Sequence, residues 1–586
     1  MTKKLLSRVG AVALTGVVAV ALAACSSGAA TPSTTSSGQK GGTLTSLDVT
    51  GEYSGTDPVG VYLGVEIANF RRLVYRGLTA LPITADKNPK VVADLATDTG
   101  TTKDQGKTWS FTLKKGLKWQ DGKTITCSDL QYGLSRSYDA SLVAAGGGVG
   151  LTYFGDGSYN LIDPSDPSYD LATSYTGPLT GKADAQAHFE KAASCSGNTI
   201  TYHFQNAWAD FPVAAAALFS TDPYEKSFDK GTANLFTINS NGPYKLQGTT
   251  FDQNAGGTFV RNSAYDASTD ATDVRKALPD IIKLEFVDSP ETITERLIAN
   301  SGTDQAAYTP LNIPADKYSE ITSDLSSRVL TSTSPYTRFL EINSNSLTDP
   351  AVRNALIAAT DKAGVVKAEG GDKWGVVNGT IVSSAIPGFQ ETALNKIAAS
   401  GDIAKAKQLL AGKTPEIRFA FSDSSTVIEQ VAAVLQQGWE KAGFKVTLVP
   451  IAKDAKPGYY VQVGTDPKPI DVFFAGWAAD WPSLFAVVPP IVQSNPKGAT
   501  FGVGFNYGFY SSSKVDGLIK QANAATDTAT QQKLLNEANE AAAADGAYVP
   551  LANQNNYYIY GSKLGGFLPD VASSYYPDLG GMYVKK

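Results

Sequence analysis

Two histidines (His188, His203), three cysteines and two methionines are all that 586 residues offer as imidazole or soft ligands. That is too few for an ordinary transition-metal centre. Neither histidine has a Ser or Cys partner that spacing identifies, and no HExxH, GxSxG or CxxC occurs, so no nucleophile or general base is nominated. Gly100–Thr108 and Gly116–Thr124 both end in Gly-Lys-Thr, but each has five residues between its glycines where a phosphate loop needs four. Asp163, Asp166 and Asp170 crowd one loop; their spacing misses the calcium-loop pattern, and a solvated turn is the plainer reading. What remains is Asp480, three residues beyond Trp477 and just past an apolar run, Asp471-Val-Phe-Phe-Ala-Gly-Trp477. An acid at the C-terminal end of a strand buried on both faces sits where open α/β sheets bind ligands. It could equally cap a helix ahead of Trp481-Pro482, and Trp477 could be plain core. The chemistry on offer is binding rather than bond-making, with no cofactor and no metal called for.

The elements that must position this site begin with an address. Lys3, Lys4 and Arg8 precede an uncharged run from Val9 to Leu22, too short to span a bilayer comfortably but suited to a signal-peptide core. It ends in Leu22-Ala23-Ala24-Cys25, which resembles the bacterial lipobox, where the Cys is lipidated and becomes the new N-terminus. The alternative is an ordinary secretory leader with an incidental Cys. On this reading 1–24 is a signal peptide, and 25–40 is a lipidated Cys with a Ser/Thr/Gly tether reaching roughly 20 Å as a random coil. The body is then extracytoplasmic and held at the outer face of the cell membrane. Losing the leader takes the net charge from −6 to −9, and with no basic stripe nucleic acid is not expected as a partner. With Cys25 assigned to lipid, Cys127 and Cys195 remain. They form either a disulfide closing a loop of about 69 residues, stabilising the fold by roughly 4 kcal/mol on the chain-entropy model, or two separate buried thiols.

The length suggests about three to five domain-sized units, and 42% apolar with 18% charged residues suits a soluble globular body. Ile282, Leu284 and Phe286 alternate as a strand, then Ser289-Pro290-Glu291 starts a helix to about Asn300. Asp349-Pro350 opens another helix. Ile428, Val431, Ala432, Leu435 and Trp439 form a third stripe, stopped by Gly443 and followed by a strand with Phe444, Val446 and Leu448. Strand, helix, strand at this spacing predicts α/β units with a largely parallel sheet.

Several segments together resemble the extracellular solute-binding family 5, the dipeptide and oligopeptide receptors of ABC importers. They are Asp57-Pro58, Tyr75-Arg76-Gly77-Leu78, Trp109-Ser-Phe-Thr-Leu-Lys-Lys-Gly-Leu-Lys-Trp-Gln-Asp-Gly-Lys-Thr124 with Asp129-Leu130, and Asn241-Gly-Pro-Tyr244. Arg338-Phe-Leu-Glu-Ile-Asn343, Asp349-Pro-Ala-Val-Arg-Asn-Ala-Leu356, Ala404-Lys-Ala-Lys-Gln-Leu-Leu410, Gly476-Trp477 and Val515-Asp516-Gly-Leu-Ile519 follow in order over about five hundred residues. The resemblance implies an α/β, two-lobed periplasmic-binding-protein-like fold of type II, of the large peptide-binding class, with an extra domain inserted in the first lobe. Residues 41–85, 230–330 and 558–586 would be lobe 1, 86–229 the inserted domain and 331–557 lobe 2.

It further implies a monomeric receptor that captures oligopeptides or dipeptides between its lobes and delivers them to ABC importer permease subunits, with no catalytic step. Asp480 would take the ligand's α-amine. Gly476, Trp477 and Ala478 from one lobe, and Gly64 with Val65 from the other, would pair with its backbone as with an added strand. Two departures stand out. Several oligopeptide members carry an Arg where Phe474 stands, and Pro482-Ser483 replaces an acid, so the partner of the ligand's carboxyl end is unassigned. Oligosaccharide binding, with Trp374, Trp477 and Trp481 stacking on sugar rings, is the rival within the family. A secreted hydrolase or surface adhesin is the reading outside it.

Overall fold

The computed structural model describes residues 38–586, apart from positions 52, 87, 148, 156–158, 272, 466–468, 495–504 and 570–574. The expected leader, Cys25 and most of the tether lie outside the described residues. The chain opens with β1 (Thr43–Val49) and α1 (Gly64–Leu73). A smaller unit follows: β2 (Thr101–Thr102), β3 (Thr108–Thr112), α2 (Cys127–Arg136), α3 (Ala183–Ala192), β4 (Ala193–Ser196), β5 (Thr199–His203) and α4 (Phe211–Ala217). The chain then returns through β6 (Tyr244–Leu246), β7 (Gly256–Arg261), β8 (Ile281–Val287), α5 (Pro290–Ala299) and β9 (Ala307–Tyr308). The last large section holds β10 (Val329–Ile342), α6 (Pro350–Ala359), β11 (Gly375–Val377), β12 (Glu416–Asp423), α7 (Thr426–Ala442), β13 (Lys445–Ala452) and β14 (Val472–Trp477), then α8 (Ser513–Ala524), α9 (Thr528–Ala544) and β15 (Tyr548–Ile559).

The three larger sheets among the described residues are ordered β9-β1-β8-β7-β6, β2-β3-β5-β4 and β11-β15-β10-β14-β12-β13. The expectation of largely parallel sheets needs correction. Parallel pairing is confined to β9-β1-β8 and β14-β12-β13. Every other pairing among these three sheets is antiparallel, including the long β10–β15 ladder. Parallel neighbours need a crossover such as α7 between β12 and β13, whereas β10 and β15 meet after some two hundred intervening residues that local patterning cannot relate.

The helix signals act through their caps. Ser289, Asp349 and Ser425 accept hydrogen bonds from the first-turn N–H groups of Thr292, Ala351 and Ile428, which removes otherwise orphaned donors. Gly443 ends α7 at φ +114°, a backbone state that an L side chain resists. The α7 stripe is buried, and Trp439, fully enclosed, donates its indole N–H to the Thr360 hydroxyl at 3.0 Å. Cys127 at the start of α2 and Cys195 on β4 are joined as a disulfide with Cα atoms 5.9 Å apart. Among the described residues no helix is long and apolar enough to cross a membrane.

Distant segments are bound together by buried ion pairs. Arg72 on α1 makes a two-pronged contact with Asp578 near the C-terminus (2.9 and 2.8 Å), both side chains almost fully enclosed. Arg71 pairs with Asp222; Arg76 and Arg275 share Asp94; and Arg136 on α2 holds Asp57 at 2.7 and 2.9 Å. Removing one partner leaves a charge buried without compensation, whereas replacing both with apolar groups does not. Arg72→Met alone is expected to lower unfolding free energy by about 3–5 kcal/mol, and Arg72→Met with Asp578→Leu to recover most of that. Urea denaturation of the two variants reads the difference; equal losses in both would mean the pair is not the source.

Candidate functional site

β14 is held at its start by Asp471, whose carboxylate takes two N–H groups of Arg418 at 2.8 and 2.7 Å. Along one edge it pairs with β10 from Ile342 opposite Val472 to Thr337 opposite Trp477. Along the other it meets β12 only at Val472 and Phe473. Past Phe473 that second edge has no ladder partner among the described residues, although the Tyr459 phenol donates to the Phe474 carbonyl at 2.9 Å. On that second edge Ala475–Trp477 has no ladder partner among the described residues. A Cβ at Gly476 would sit 2.0 Å from the Tyr336 phenol oxygen, so any side chain there would displace that ring. Trp477 turns its ring into the core: it is 8% exposed, lies 4.3 Å from Phe505 and donates its indole N–H to the Ala486 carbonyl at 2.7 Å. Its side chain is core, and none of Gly476, Trp477 and Ala478 walls either of the two cavities beside Asp480.

Asp480 caps no helix; Ser483 caps the short turn that follows. The Asp480 carboxylate instead accepts a hydrogen bond from the phenol of Tyr153, which the smaller unit contributes from a short helix at Val149–Phe154. Around this contact the smaller unit and the end of β14 are joined by aromatic packing. The Trp481 ring lies 5.2 Å from Tyr153 and 5.8 Å from Trp208, Tyr159 stacks on Trp208 at 4.1 Å, and the Trp481 indole donates to Asp210 at 2.7 Å. Two cavities survive beside Asp480. One, of about 20 Å³, is walled by residues including Pro58, Tyr62, Ile67 and Phe219; the other, of about 10 Å³, by residues including Ile67, Arg71, Ala217 and Trp481. Each has room for about one water, so the cleft is closed around the acid.

That enclosure sets the electrostatics. Burial pushes the Asp480 carboxyl up to about 6, against the hydrogen bond from Tyr153, which favours the charged form. Burial, and after it the neighbouring Asp480, pushes the Tyr62 phenol well above its usual value.

The other expected residues are placed differently. Gly64 and Val65 do not offer a strand edge: they open α1, Val65 is buried in the core, and a Cβ on Gly64 would meet the Tyr576 ring at 2.5 Å. Glu66 organises this turn by accepting from the N–H groups of Tyr62 and Leu63, both at 3.0 Å. Neither Gly64 nor Val65 walls the two cavities, whereas Tyr62, Ile67 and Arg71 do. Ile67 and Arg71 are one helical turn apart, a spacing that shares a face and was readable; nothing in the sequence singles out Tyr153. The three tryptophans proposed for sugar stacking do not converge. Trp481 walls the smaller cavity, Trp477 neither, and Trp374 a separate pocket of about 340 Å³. The Asp163–Asp170 loop is largely exposed, as a solvated turn should be; Asp163 alone is buried, accepting from Ser165 and His188 and facing Lys191. Among the described residues no group of three or more His, Cys, Asp or Glu side chains is arranged to hold a metal ion.

Comparison with known proteins comes to the same architecture. The profile of bacterial extracellular solute-binding proteins, family 5 Middle, matches residues 90–499. A probable D,D-dipeptide-binding periplasmic protein of Escherichia coli K12 is 22% identical over 506 residues, 84% of this chain and 85% of its own. A glutathione-binding protein of Salmonella choleraesuis is 22% identical over 510 residues, 86% and 88% of the two chains. Among solved structures, a clavulanic acid biosynthesis oligopeptide binding protein 2 superposes with a TM-score of 0.80 at 20% identity, covering 94% of this chain and 96% of its own. The fold is the two-lobed α/β fold of type II with an added domain in the first lobe.

A carboxyl raised on folding contributes stability that is full below its unfolded value, about 4, and is lost as pH rises through about 6. Carboxyl-carbon NMR of the ligand-free protein should therefore show Asp480 titrating near pH 6. Tyr153→Phe, which removes the bond favouring the carboxylate, should move that midpoint upward; a downward move would contradict the assignment.

Proposed function

Because the chain belongs to family 5 of the bacterial extracellular solute-binding proteins, we propose that it captures short peptides in the cleft at Asp480 and delivers them to the permease of an ABC importer, with no catalytic step. One observation carries the reading: a carboxylate enclosed beside the unpaired edge of a central strand. An unpaired edge gives an extended ligand main-chain hydrogen bonds without regard to its side chains. An enclosed carboxylate gives its α-amine the opposite charge that a buried cation requires. In the ligand-free chain the Tyr153 phenol donates to that carboxylate; on binding, the amine becomes the stronger, charge-assisted donor.

The names of the relatives agree with this choice, since dipeptides, glutathione and oligopeptides all carry amide backbones with charged ends. Scattered tryptophans speak for peptides over sugars. The lobes would divide as 41–85, 230–330 and 558–586 against 331–557, with 86–229 inserted, and would close on the ligand by hinge motion. The lipobox-like Leu22-Ala23-Ala24-Cys25 supports a signal peptide over 1–24, lipid on Cys25 and a tether to residue 40, which would keep a monomeric receptor at the outer membrane face.

Mass spectrometry of small molecules released by denaturing the protein, purified without its leader, should show a ladder of short peptides; oligosaccharides would overturn the ligand class. Asp480→Ala should weaken peptide binding by roughly 3–5 kcal/mol, and N-acetylated peptides should bind poorly. Unchanged affinity in a calorimetric titration of the folded variant would remove Asp480 from the amine role.

A further inference from the structure

With Phe474 where several family members carry an arginine, the partner of the ligand's carboxyl end has to come from elsewhere. We propose that Arg71 is that partner: its unengaged guanidinium edge receives the free carboxylate of a short peptide whose amine is held by Asp480. This rests on the peptide reading of the cleft and deepens it.

Five arginines are buried in and around the first sheet and the smaller unit, and four are fully engaged. Arg72 commits Nε and Nη2 to Asp578 and Nη1 to the Leu81 carbonyl. Arg76 uses Nε on Asp94 and its two terminal nitrogens on Thr269. Arg275 spends its three nitrogens on the Arg71 carbonyl, Asp270 and Asp94. Arg136 spends its own on Asp229 and Asp57. Arg71 is the exception. Its Nη1 takes both oxygens of Asp222, at 2.7 and 2.6 Å, and its guanidinium lies 4.1 Å over the Phe219 ring. Nε and Nη2, although buried, have no hydrogen-bond partner among the described residues. Arg71 as a whole is 5% exposed.

Leaving buried N–H groups unpaired is costly, and in native proteins such groups are rare enough to need a reason. The Nε–Nη2 edge is the side on which a guanidinium offers two parallel N–H groups to one carboxylate. Asp222 and Phe219 fix the plane of the group from the other side, so little freedom remains to be lost on binding. The direction is also right: Arg71 walls the same small cavity as Asp480, together with Ile67, Ala216, Ala217 and Trp481. Two carboxylates on one guanidinium would repel if both were charged. Burial pushes Asp222 up to about 7, so it can meet the ligand as the neutral acid.

Two anchors on one cavity select length as well as charge. A ligand that satisfies both must be short, and each added residue must bulge or release one end.

The test titrates Ala-Ala and Ala-Ala-Ala, each as free acid, C-terminal amide and N-acetyl form, into the wild-type protein by calorimetry. Amidation is expected to weaken binding by about 10- to 100-fold, the effect of losing a charge-assisted pair. Arg71→Gln combined with Asp222→Asn, which leaves no buried charge unpaired, is expected to bind acid and amide alike, at the affinity of the amide for wild type. A wild-type protein that binds acid and amide equally but rejects the N-acetyl form overturns the role of Arg71 and keeps the peptide cleft. A variant that retains the preference for the acid also overturns it. Failure of wild type to bind any form removes the peptide reading and this inference with it.

Discussion

A charge taken out of water holds its place only against an opposite charge in hydrogen-bonding contact, and α1 places two arginines side by side under that rule. Arg71 reaches Asp222 of the smaller unit, and Arg72 reaches Asp578 near the C-terminus. Arg76, just beyond the helix, reaches Asp94. Two segments remote in sequence are thereby fixed to one short helix, and Asp94 to the turn that follows it. Gly77 shows how tight the arrangement is, since a Cβ there would stand 2.8 Å from an Asp222 carboxylate oxygen and 3.0 Å from Arg71. Arg136, on α2, ties Asp57 to the smaller unit, with the Tyr224 ring 3.6 Å from its guanidinium. If these pairs were apolar contacts of equal area, the segments could slide; a two-pronged guanidinium contact tolerates no such shift. The face of α1 that carries Ile67 and Arg71 is therefore presented to Asp480 in one orientation.

The same rule governs the cleft from the other side. Asp480 is enclosed without a cation, and its displacement to about 6 amounts to a bias on the order of 3 kcal/mol against the charged form. In an open cleft water would remove that bias. Closure therefore disfavours the carboxylate until a positive group arrives, and an arriving amine is worth more to the closed form than to the open one. That difference is the condition for a ligand to shift a conformational equilibrium. The aromatic contacts of Trp481 with Tyr153 and Trp208 work in the opposite direction, favouring closure whether or not a ligand is present. On the proposed peptide reading, a receptor balanced between these two terms would respond to charge at one end of its ligand and little to the rest.

How much of this was legible in the sequence depended on distance along the chain. Caps such as Ser289, Asp349 and Ser425, the stripe ending at Gly443, and the buried run before Trp477 are local, and each formed the element its spacing implied. Compartment and number left Cys127 and Cys195 as either a disulfide or two separate thiols, and the structure joins them. What failed was non-local. β10 and β15 gave no sign that they would run antiparallel as neighbours. One local signal was passed over: Glu66, three residues past Leu63, organises a helix start at Gly64 and Val65, which were expected to pair with a ligand's backbone. An acid at that position is a capping signal that local reading could have caught.

The motif segments and the walls of the two cavities beside Asp480 overlap only in part, at Pro58. Asp57, Arg76 and Asn241, which carry the family resemblance, spend their side chains on Arg136, on Asp94 and Thr269, and on the Arg76 backbone. They hold the scaffold. Tyr62, Tyr153 and Arg71, which surround Asp480, belong to none of the motif segments quoted above, and Arg71 stands four residues before one of them. A scaffold built from buried ion pairs has narrow geometric tolerance, so its residues recur as readable patterns. A cleft has only to supply charge and room, which several residue types at several positions can do. Family membership is thus written where the structure is most constrained, and ligand choice where it is least. For this chain the second is to be sought in the buried Nε–Nη2 edge of Arg71, which has no hydrogen-bond partner among the described residues.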